Sequence, residues 1–389
     1  MTHVVDRLLG TRIARGRASV LLLGARQVGK TTLCRSLAPA LVVDLADEGE
    51  YLRFAKAPAA LRAELRALPR ATLVHIDEIQ RVPALLNVVQ AALEEPGAPR
   101  FLLTGSSARK LKRGGANLLP GRVVVEHLDP LTSLELGDRF DLDRALRVGM
   151  LPGFFLGDTE AEALLGTYAE VYLREEIRAE ALTRNVGGFA RFLDVVAAMS
   201  GRWLNYSKAA SDAEMPKETI RRFVEILEDT LVAHRLPPYE PRRPARRRLA
   251  QRDRILLFDV GVKNALRGRH RIPPTADEIG PLFEHWLVLE LIHVGRALNK
   301  GWRFSSYRTE AGAEVDLVIE RARDVVGIEI KSGRTVRPQD VRGLQSLGEI
   351  AGRGLVKLVA FRGPRPQRLE GGVEVLPYRQ LIDRLAAEP

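Results

Sequence analysis

Near the start of the chain lies an apolar run, Ala18-Ser-Val-Leu-Leu-Leu, that closes on Gly24. A short continuous apolar run ending in glycine is the pattern of a parallel strand covered on both faces, so a buried strand is expected there. Ala71-Thr-Leu-Val-His-Ile has the same character and ends in Asp77-Glu78. Arg100-Phe-Leu-Leu-Thr104 runs into Gly105-Ser106-Ser107, and Val123-Val-Val-Glu-His-Leu128 adds a fourth strand. Between Glu160 and Phe192 the period changes. Leu164, Leu165, Tyr168, Val171, Tyr172 and Ile177 recur at helical spacing and predict a helical lid or linker. Asn205–Pro216 and Lys217–Leu227 then read as two short helices around a tight turn, followed by a strand pair at Leu231–Leu236 and Arg254–Asp259. In the last third Leu282–Leu291 is helical, while Glu314–Glu320 and Val326–Ser332 alternate as half-buried strands.

The first strand leads into Gly24-Ala25-Arg26-Gln27-Val28-Gly29-Lys30-Thr31-Thr32, which fits the phosphate-loop pattern at every fixed position. Glycines let backbone N–H groups wrap phosphates, and the helix that follows points its N-terminus at them. Lys30 is expected to reach the terminal phosphates of ATP and Thr31 to coordinate Mg2+. Asp77 would hold the magnesium through water, and Glu78 would orient and activate the attacking water. Thr104 and Ser106, in the turn after the third strand, are candidates for sensing the γ-phosphate. His75 is read as a packing residue within its strand.

At 389 residues the chain is too long for one ordinary domain. With 46% hydrophobic and 28% charged residues it is globular rather than disordered or fibrous. No apolar run approaches the length of a membrane span, and no leader pattern of basic residues before an apolar core is seen. The single cysteine, Cys34, suits a reducing compartment, so a cytoplasmic protein is expected, with Cys34 as a small packing residue. The net charge of +11 favours a polyanionic partner, nucleic acid before an anionic membrane. An arginine-rich proteome explains the same number, so the charge counts only where it clusters.

The strings Gly24–Thr32, Ile76-Asp-Glu-Ile-Gln-Arg-Val-Pro83, Leu103-Thr-Gly-Ser-Ser107, Leu119-Pro-Gly-Arg122 and Asp129-Pro-Leu-Thr-Ser-Leu-Glu-Leu136 resemble prokaryotic AAA+ ATPases joined to the C-terminal domain of unknown function 4143. Pro120 departs from the alanine common in relatives. The resemblance covers most of the chain and implies an ATPase with ATP and Mg2+ as cofactors. It also implies that Arg122, just before the last strand, completes a neighbour's site as a finger in trans, in a ring or at least a dimer. A surface strand-start residue is the other reading of Arg122.

The two short helices and the strand pair suggest a winged helix, with Lys217, Arg221 and Arg222 exposed on the second helix. Between the strands lie Arg242, Arg243, Arg246, Arg247 and Arg248, with Arg252 and Arg254 just beyond. That basic wing is expected to bind DNA phosphates, with an affinity that falls as salt rises. Winged helices also dock proteins, and the arginine cluster holds no aromatic residue for base stacking. In the last domain Glu314 and Asp316 share one strand face, and Glu329 and Lys331 share another. Asp followed by Glu-x-Lys on neighbouring strands resembles the PD-(D/E)xK nuclease superfamily. The resemblance implies metal ligands at Asp316, Glu329 and a helix glutamate, Glu284 or its competitor Glu290. It also implies a lysine, Lys331, that activates water or steadies the phosphate, and a helix glutamine, Gln345.

The expected architecture is therefore α/β: a P-loop AAA+-type ATPase domain over residues 1–137, a helical lid or linker over 138–192, a winged helix with a basic wing over 193–265, and a restriction-endonuclease-like α/β domain over 275–389. The expected function is ATP binding and hydrolysis that drives or gates action on DNA, duplex or branched, by a homo-oligomer. Its C-terminal domain binds DNA and either cuts it or does not. The alternative is a nucleotide-switched signalling or assembly protein that uses its winged helix and C-terminal domain for protein partners.

Overall fold

The computed structural model describes residues 5–105, 119, 121–173, 186–241, 249–250 and 252–388. Ser106, Ser107, Pro120, Ile177, Arg242, Arg243, Arg246, Arg247 and Arg248 lie outside them. Contacts divide the chain into two compact units, Met1–Leu131 with Ile226–Val232, and the remainder. Among the described residues no helix is long and apolar enough to cross a membrane.

In the first unit the strands are β1 (Ser19–Leu23), β2 (Leu41–Asp44), β3 (Leu73–Asp77), β4 (Arg100–Gly105) and β5 (Val123–His127). All neighbours run parallel, in the order β2-β3-β4-β1-β5. Strand β2 was not anticipated; Leu41-Val-Val-Asp is too short to stand out as a run. Helices Lys30–Ser36, Glu48–Lys56, Ala60–Ala67 and Leu85–Leu93 make the crossovers that parallel pairing requires. Asp47 starts the second of them by accepting the Glu50 N–H at 2.9 Å. Every residue of β1 is buried, and Leu21, Leu23, Val74, Ile76, Phe101 and Leu103 share a core with Phe54, Leu61, Leu85 and Val89 from the helices. Because parallel strands end at one edge, the turns after β1, β3 and β4 lie side by side: Leu23 pairs with Gly105, and Ile76 with Leu103.

The second unit holds a hairpin of β6 (Ala233–Leu236) and β7 (Arg254–Leu257). It follows helices Val186–Met199, Tyr206–Asp212 and Lys217–Asp229, the last of which reaches into the segment grouped with the first unit. Phe189 and Phe192 pack against Phe223 with ring centroids 5.1 Å apart in both pairs. Asp259 then caps helix Val260–Leu266 through the Val262 N–H at 3.0 Å and also takes the Met150 N–H at 2.6 Å. Gly149, at φ 76°, approaches so closely that a Cβ there would sit 1.9 Å from Asp259 Oδ1. Only glycine fits that position.

A six-stranded sheet completes the unit: β8 (Arg303–Arg308), β9 (Glu314–Glu320), β10 (Val325–Lys331), β11 (Leu355–Phe361), β12 (Gln367–Leu369) and β13 (Val373–Pro377), in the order β12-β13-β11-β10-β9-β8. β10, β11 and β13 are parallel, whereas β8, β9 and β12 pair antiparallel with their neighbours. Helices Ala276–Ala297, Arg342–Ala351 and Tyr378–Ala387 pack on this mixed sheet.

On the 22-residue helix Ala276–Ala297 the two candidate glutamates part company. Six residues is about 1.7 turns, so Glu284 and Glu290 point in different directions. Glu290 is 1% exposed and accepts both the N–H and the hydroxyl of Ser133, at 2.7 and 2.6 Å. It ties two segments of the unit together and is not a competitor for the carboxylate cluster, which corrects that option. Burial pushes its carboxyl up to about 8, against an ordinary value of 4.5. The folded protein thus holds a proton that the unfolded chain releases. This contribution is fully present below pH 4.5 and is lost as pH rises towards 8. Glu290→Gln is expected to flatten the fall in urea midpoint across that window, and Glu290→Ala to cost about 2 kcal/mol. A Glu290→Gln protein that keeps the wild-type pH dependence contradicts this assignment.

Candidate functional site

The loop Gly24–Thr31 leaves β1 and turns into helix Lys30–Ser36 through two left-handed residues, Gln27 at φ 69° and Gly29 at φ 94°. A Cβ on Gly24 would meet the Leu128 carbonyl at 2.6 Å, so the loop can leave the sheet here only with glycine. Arg7, 9% exposed, anchors this turn by donating to Val28 O at 2.9 Å, Asp129 O at 2.7 Å and Pro130 O at 3.2 Å. No motif pointed to Arg7; a lone arginine before a short helix carries no signal of its partners. Ala25 and Val28 are buried, and Arg26, Gln27 and Thr32 are exposed.

The buried Lys30 ammonium lies across the loop, donating to Gly24 O at 2.8 Å and Ala25 O at 3.1 Å. Thr31 Oγ1 donates to Asp77 Oδ2 at 2.9 Å. Asp77 Oδ1 accepts from the Thr104 hydroxyl and from the Glu78 N–H, the latter at 3.1 Å. Thr104, fully buried, is a positioning group for Asp77, and its oxygen also takes the Glu78 N–H at 3.3 Å. Glu78 stands in left-handed backbone at φ 53°, with its carboxylate held by the Gln80 amide. A non-glycine residue in that region costs of order 1 kcal/mol, and such strain collects at functional sites. A glycine-lined turn crossed by a buried ammonium, with a hydroxyl and a carboxylate in contact at its end, fits a magnesium nucleotide.

His75 is fully buried, and desolvation lowers its imidazole pKa, so it packs as a neutral group. Burial, reinforced by Asp77, pushes the Cys34 thiol up, out of range for a nucleophile. Arg122 opens β5 beside the β1 start, since Ser19 pairs with Val123, and lies at the opposite sheet edge from the loop. Its guanidinium meets Glu94 at 2.8 Å.

In the second unit, β9 and β10 pair antiparallel up to Leu317 and Ile328, so Asp316 and Glu329 come next along the two strands. Asp316 Oδ2 accepts the Ile330 N–H at 2.7 Å, and Lys331 Nζ meets Glu329 Oε1 at 2.7 Å. Glu284 reaches the same place from its helix, paired with Arg254. That arginine is 3% exposed and also donates to Asp316 O at 2.7 Å and Gly201 O at 2.8 Å. In sequence it stands just beyond the basic wing and opens a strand; in the fold it is the internal cation of the acidic cluster, the first residue of a fully buried strand. Trp203 closes one side, its ring 5.7 Å from Arg254 and 5.5 Å from Arg308, and its Nε1 donates to Glu314 at 3.3 Å.

Desolvation raises the Asp316 carboxyl well above its ordinary value, with Glu284 and Glu329 adding like-charge repulsion. Glu329 is pushed up to about 7, by burial first and against the pull of Lys331. For Lys331 burial works to lower the pKa, but attraction to Glu329 and Asp316 outweighs it and the net shift is upward. Three mutually repelling carboxylates beside a lysine have the donor chemistry of a divalent-cation site. Gln345 is exposed on helix Arg342–Ala351. Lys217, Arg221 and Arg222 are exposed on helix Lys217–Asp229, with Arg221 paired to Glu218 at 3.3 Å and lying 5.4 Å from the Tyr206 ring.

Residues 16–137 match the family described as AAA domain, and residues 279–381 the domain of unknown function DUF4143. Residues 139–271 match a further domain of unknown function, DUF8612. The chain is similar to the uncharacterized proteins Rv2008c of Mycobacterium tuberculosis and Mb2031c of Mycobacterium bovis. Each is 29% identical over 97% of this chain and 84% of its own length. Among solved structures it has distant likenesses to the RuvB Holliday-junction branch-migration motor of Thermotoga maritima (18% identity, 57% of this chain and 82% of that one, TM-score 0.28). Another is a DNA polymerase III γ-subunit-related protein of the same organism (14% identity, 58% of this chain and 100% of that one, TM-score 0.26).

Replacing Arg254 by methionine leaves Glu284 and Asp316 without their internal cation. Removing one member of a buried charge set costs about 3 kcal/mol or more, so a large fall in chemical-denaturation stability is expected at neutral pH. Part of it should return at mildly acidic pH, where the upward-shifted Asp316 carboxyl is protonated. An Arg254→Met protein as stable as wild type at neutral pH contradicts the assignment.

Proposed function

We propose, for a chain that carries an N-terminal AAA-type P-loop ATPase domain and a C-terminal DUF4143 domain and is thereby an ATP-hydrolysing enzyme, that its ATP turnover acts on DNA. The C-terminal domain is read as restriction-endonuclease-like and metal-dependent. The observation that carries this reading is the Glu284–Arg254 ion pair, with Arg254 also donating to the Asp316 carbonyl, beside the Glu329–Lys331 pair on the neighbouring strand.

The domains are assigned to residues 1–137 for the ATPase, 138–192 for the lid, 193–265 for a winged helix and 275–389 for the nuclease-like domain. Three helices followed by a two-stranded hairpin support the winged helix. Lys217, Arg221 and Arg222, together with the arginines at 242–248, are its proposed phosphate contacts.

In the ATPase domain Lys30 would bind the terminal phosphates, and Thr31 with Asp77 would hold magnesium. When bound, the ion supplies Lewis-acid neutralisation of phosphate charge. Glu78 orients water and takes its proton, and Thr104 keeps Asp77 aimed at Thr31. Arg122, exposed at the far sheet edge, is suited to a second copy's site rather than its own, so a ring or dimer is the proposed working form. In the nuclease-like domain Glu284, Asp316 and Glu329 would hold divalent metal, and Lys331 would stabilise charge on the scissile phosphate.

Lys30→Ala is expected to lower ATP turnover by about 100-fold or more. Glu78→Gln should bind ATP without releasing product, and an unaltered hydrolysis rate in it overturns the water-activation role. With Mg2+ or Mn2+, the wild-type protein should nick plasmid or four-way-junction DNA, and Asp316→Ala should not. Binding without nicking leaves a DNA remodeller. If the wild-type protein shows no salt-sensitive DNA shift on a gel, the DNA reading falls and a signalling switch replaces it.

A further inference from the structure

Beside the carboxylate cluster the second unit has an open cleft of about 490 Å³, bordered by Glu284 at one side. That volume is in the range of small-ligand sites. Its charge is lopsided. Arg202, Lys263, Arg267 and Arg269 line it, and only Arg269 has its carboxylate, Glu278, at 2.9 Å. Among the described residues the Arg202 and Arg267 side chains have no carboxylate or carbonyl partner. Glu284, the acid on the cluster side, is already paired with Arg254, which leaves Asp277 as the opposing charge. Ile272, Pro274 and Leu282 supply an apolar wall.

Lys263 is the informative residue. It is 5% exposed, yet no carboxylate lies within salt-bridge distance of its ammonium among the described residues. An ammonium carries three protons. One goes to Ser200 O at 3.0 Å, and a second faces His285 Nδ1 at 3.5 Å. His285 Nε2 lies 2.9 Å from the Leu257 carbonyl, which can only accept, so Nε2 carries the ring proton and Nδ1 is free to accept. The third ammonium proton is left for the cavity. A buried, unpaired cation is costly unless an anion meets it. Burial first, then repulsion from Arg267 and Arg202, lowers the Lys263 pKa to about 8, against the pull of Glu284.

We propose that this cavity is a binding site for a phosphate monoester, held by Lys263, Arg202 and Arg267, with the attached sugar and base against the apolar wall. One buried ammonium and two exposed guanidinium groups without a carboxylate partner among the described residues match a dianionic terminal phosphate better than a singly charged diester. Two sources share this chemistry, a 5′-phosphorylated strand end and a free nucleoside monophosphate. The strand end is the reading that rests on the nuclease-like assignment: a 5′-phosphate anchored here would set a nearby diester on the Glu284 side, where the carboxylates converge.

The test compares binding of a 5′-phosphorylated and a 5′-hydroxyl single-stranded oligonucleotide, in a Lys30→Ala background so that the phosphate loop does not compete, with EDTA present to prevent cutting. The phosphorylated strand should bind about tenfold tighter or more. The advantage should vanish in Arg202→Ser/Arg267→Ser, both exposed positions, and in Lys263→Met. If neither strand is preferred but ribose 5-phosphate raises the melting temperature in the Lys30→Ala protein and not in the double variant, the site takes the free monoester. If neither the strand pair nor ribose 5-phosphate distinguishes the variants, the proposal is overturned. Metal-dependent nicking is read separately, so its absence overturns the nuclease-like assignment without touching the phosphate site.

Discussion

Glu284, Asp316 and Glu329 repel one another, and that repulsion is the constraint around which the second unit is built. The protein keeps them together by placing Arg254 inside, with one guanidinium nitrogen on the Asp316 carbonyl and the other shared by Glu284 and Gly201. The strand that carries Arg254 is entirely buried, and the helix that carries Glu284 is fixed farther along by Glu290 and Ser133. Lys331 compensates Glu329 on the other side. Asp316 and Glu329 are shifted upward by burial first and then by neighbouring carboxylates, and a divalent cation would stabilise their charged forms.

The first unit solves a smaller version of the same problem with neutral donors. Asp77 sits at the end of a buried strand and receives the Thr31 hydroxyl, the Thr104 hydroxyl and the Glu78 N–H. These three hydrogen bonds fix the orientation of the Asp77 carboxylate beside the Lys30 loop. The turns are adjacent because the strands are parallel, so fold and site have a single cause.

Much of this was legible in the chain. The loop Gly24–Thr31, the strand ending in Asp77-Glu78 and the Glu329-x-Lys331 pattern are local, and local spacing reports local geometry. What escaped depends on distant partners. Arg254 looked like one more arginine beyond a basic run, although it opens Ile-Leu-Leu-Phe, an apolar strand whose burial was itself predictable. Glu284 and Glu290 share a helix, and only their different neighbours separate them. Lys263 and Arg7 stand in ordinary sequence, and their meaning lies in carbonyls far away in the chain: Ser200 for one, Val28 and Asp129 for the other.

The claim that ATP turnover and DNA belong to one activity is tested most directly by ATP hydrolysis without DNA, with linear duplex and with a four-way junction, at matched low salt. Turnover should rise several-fold with at least one DNA, and the rise should fade as salt increases, as for contacts made to phosphates. A rate identical in all three reactions would contradict the account.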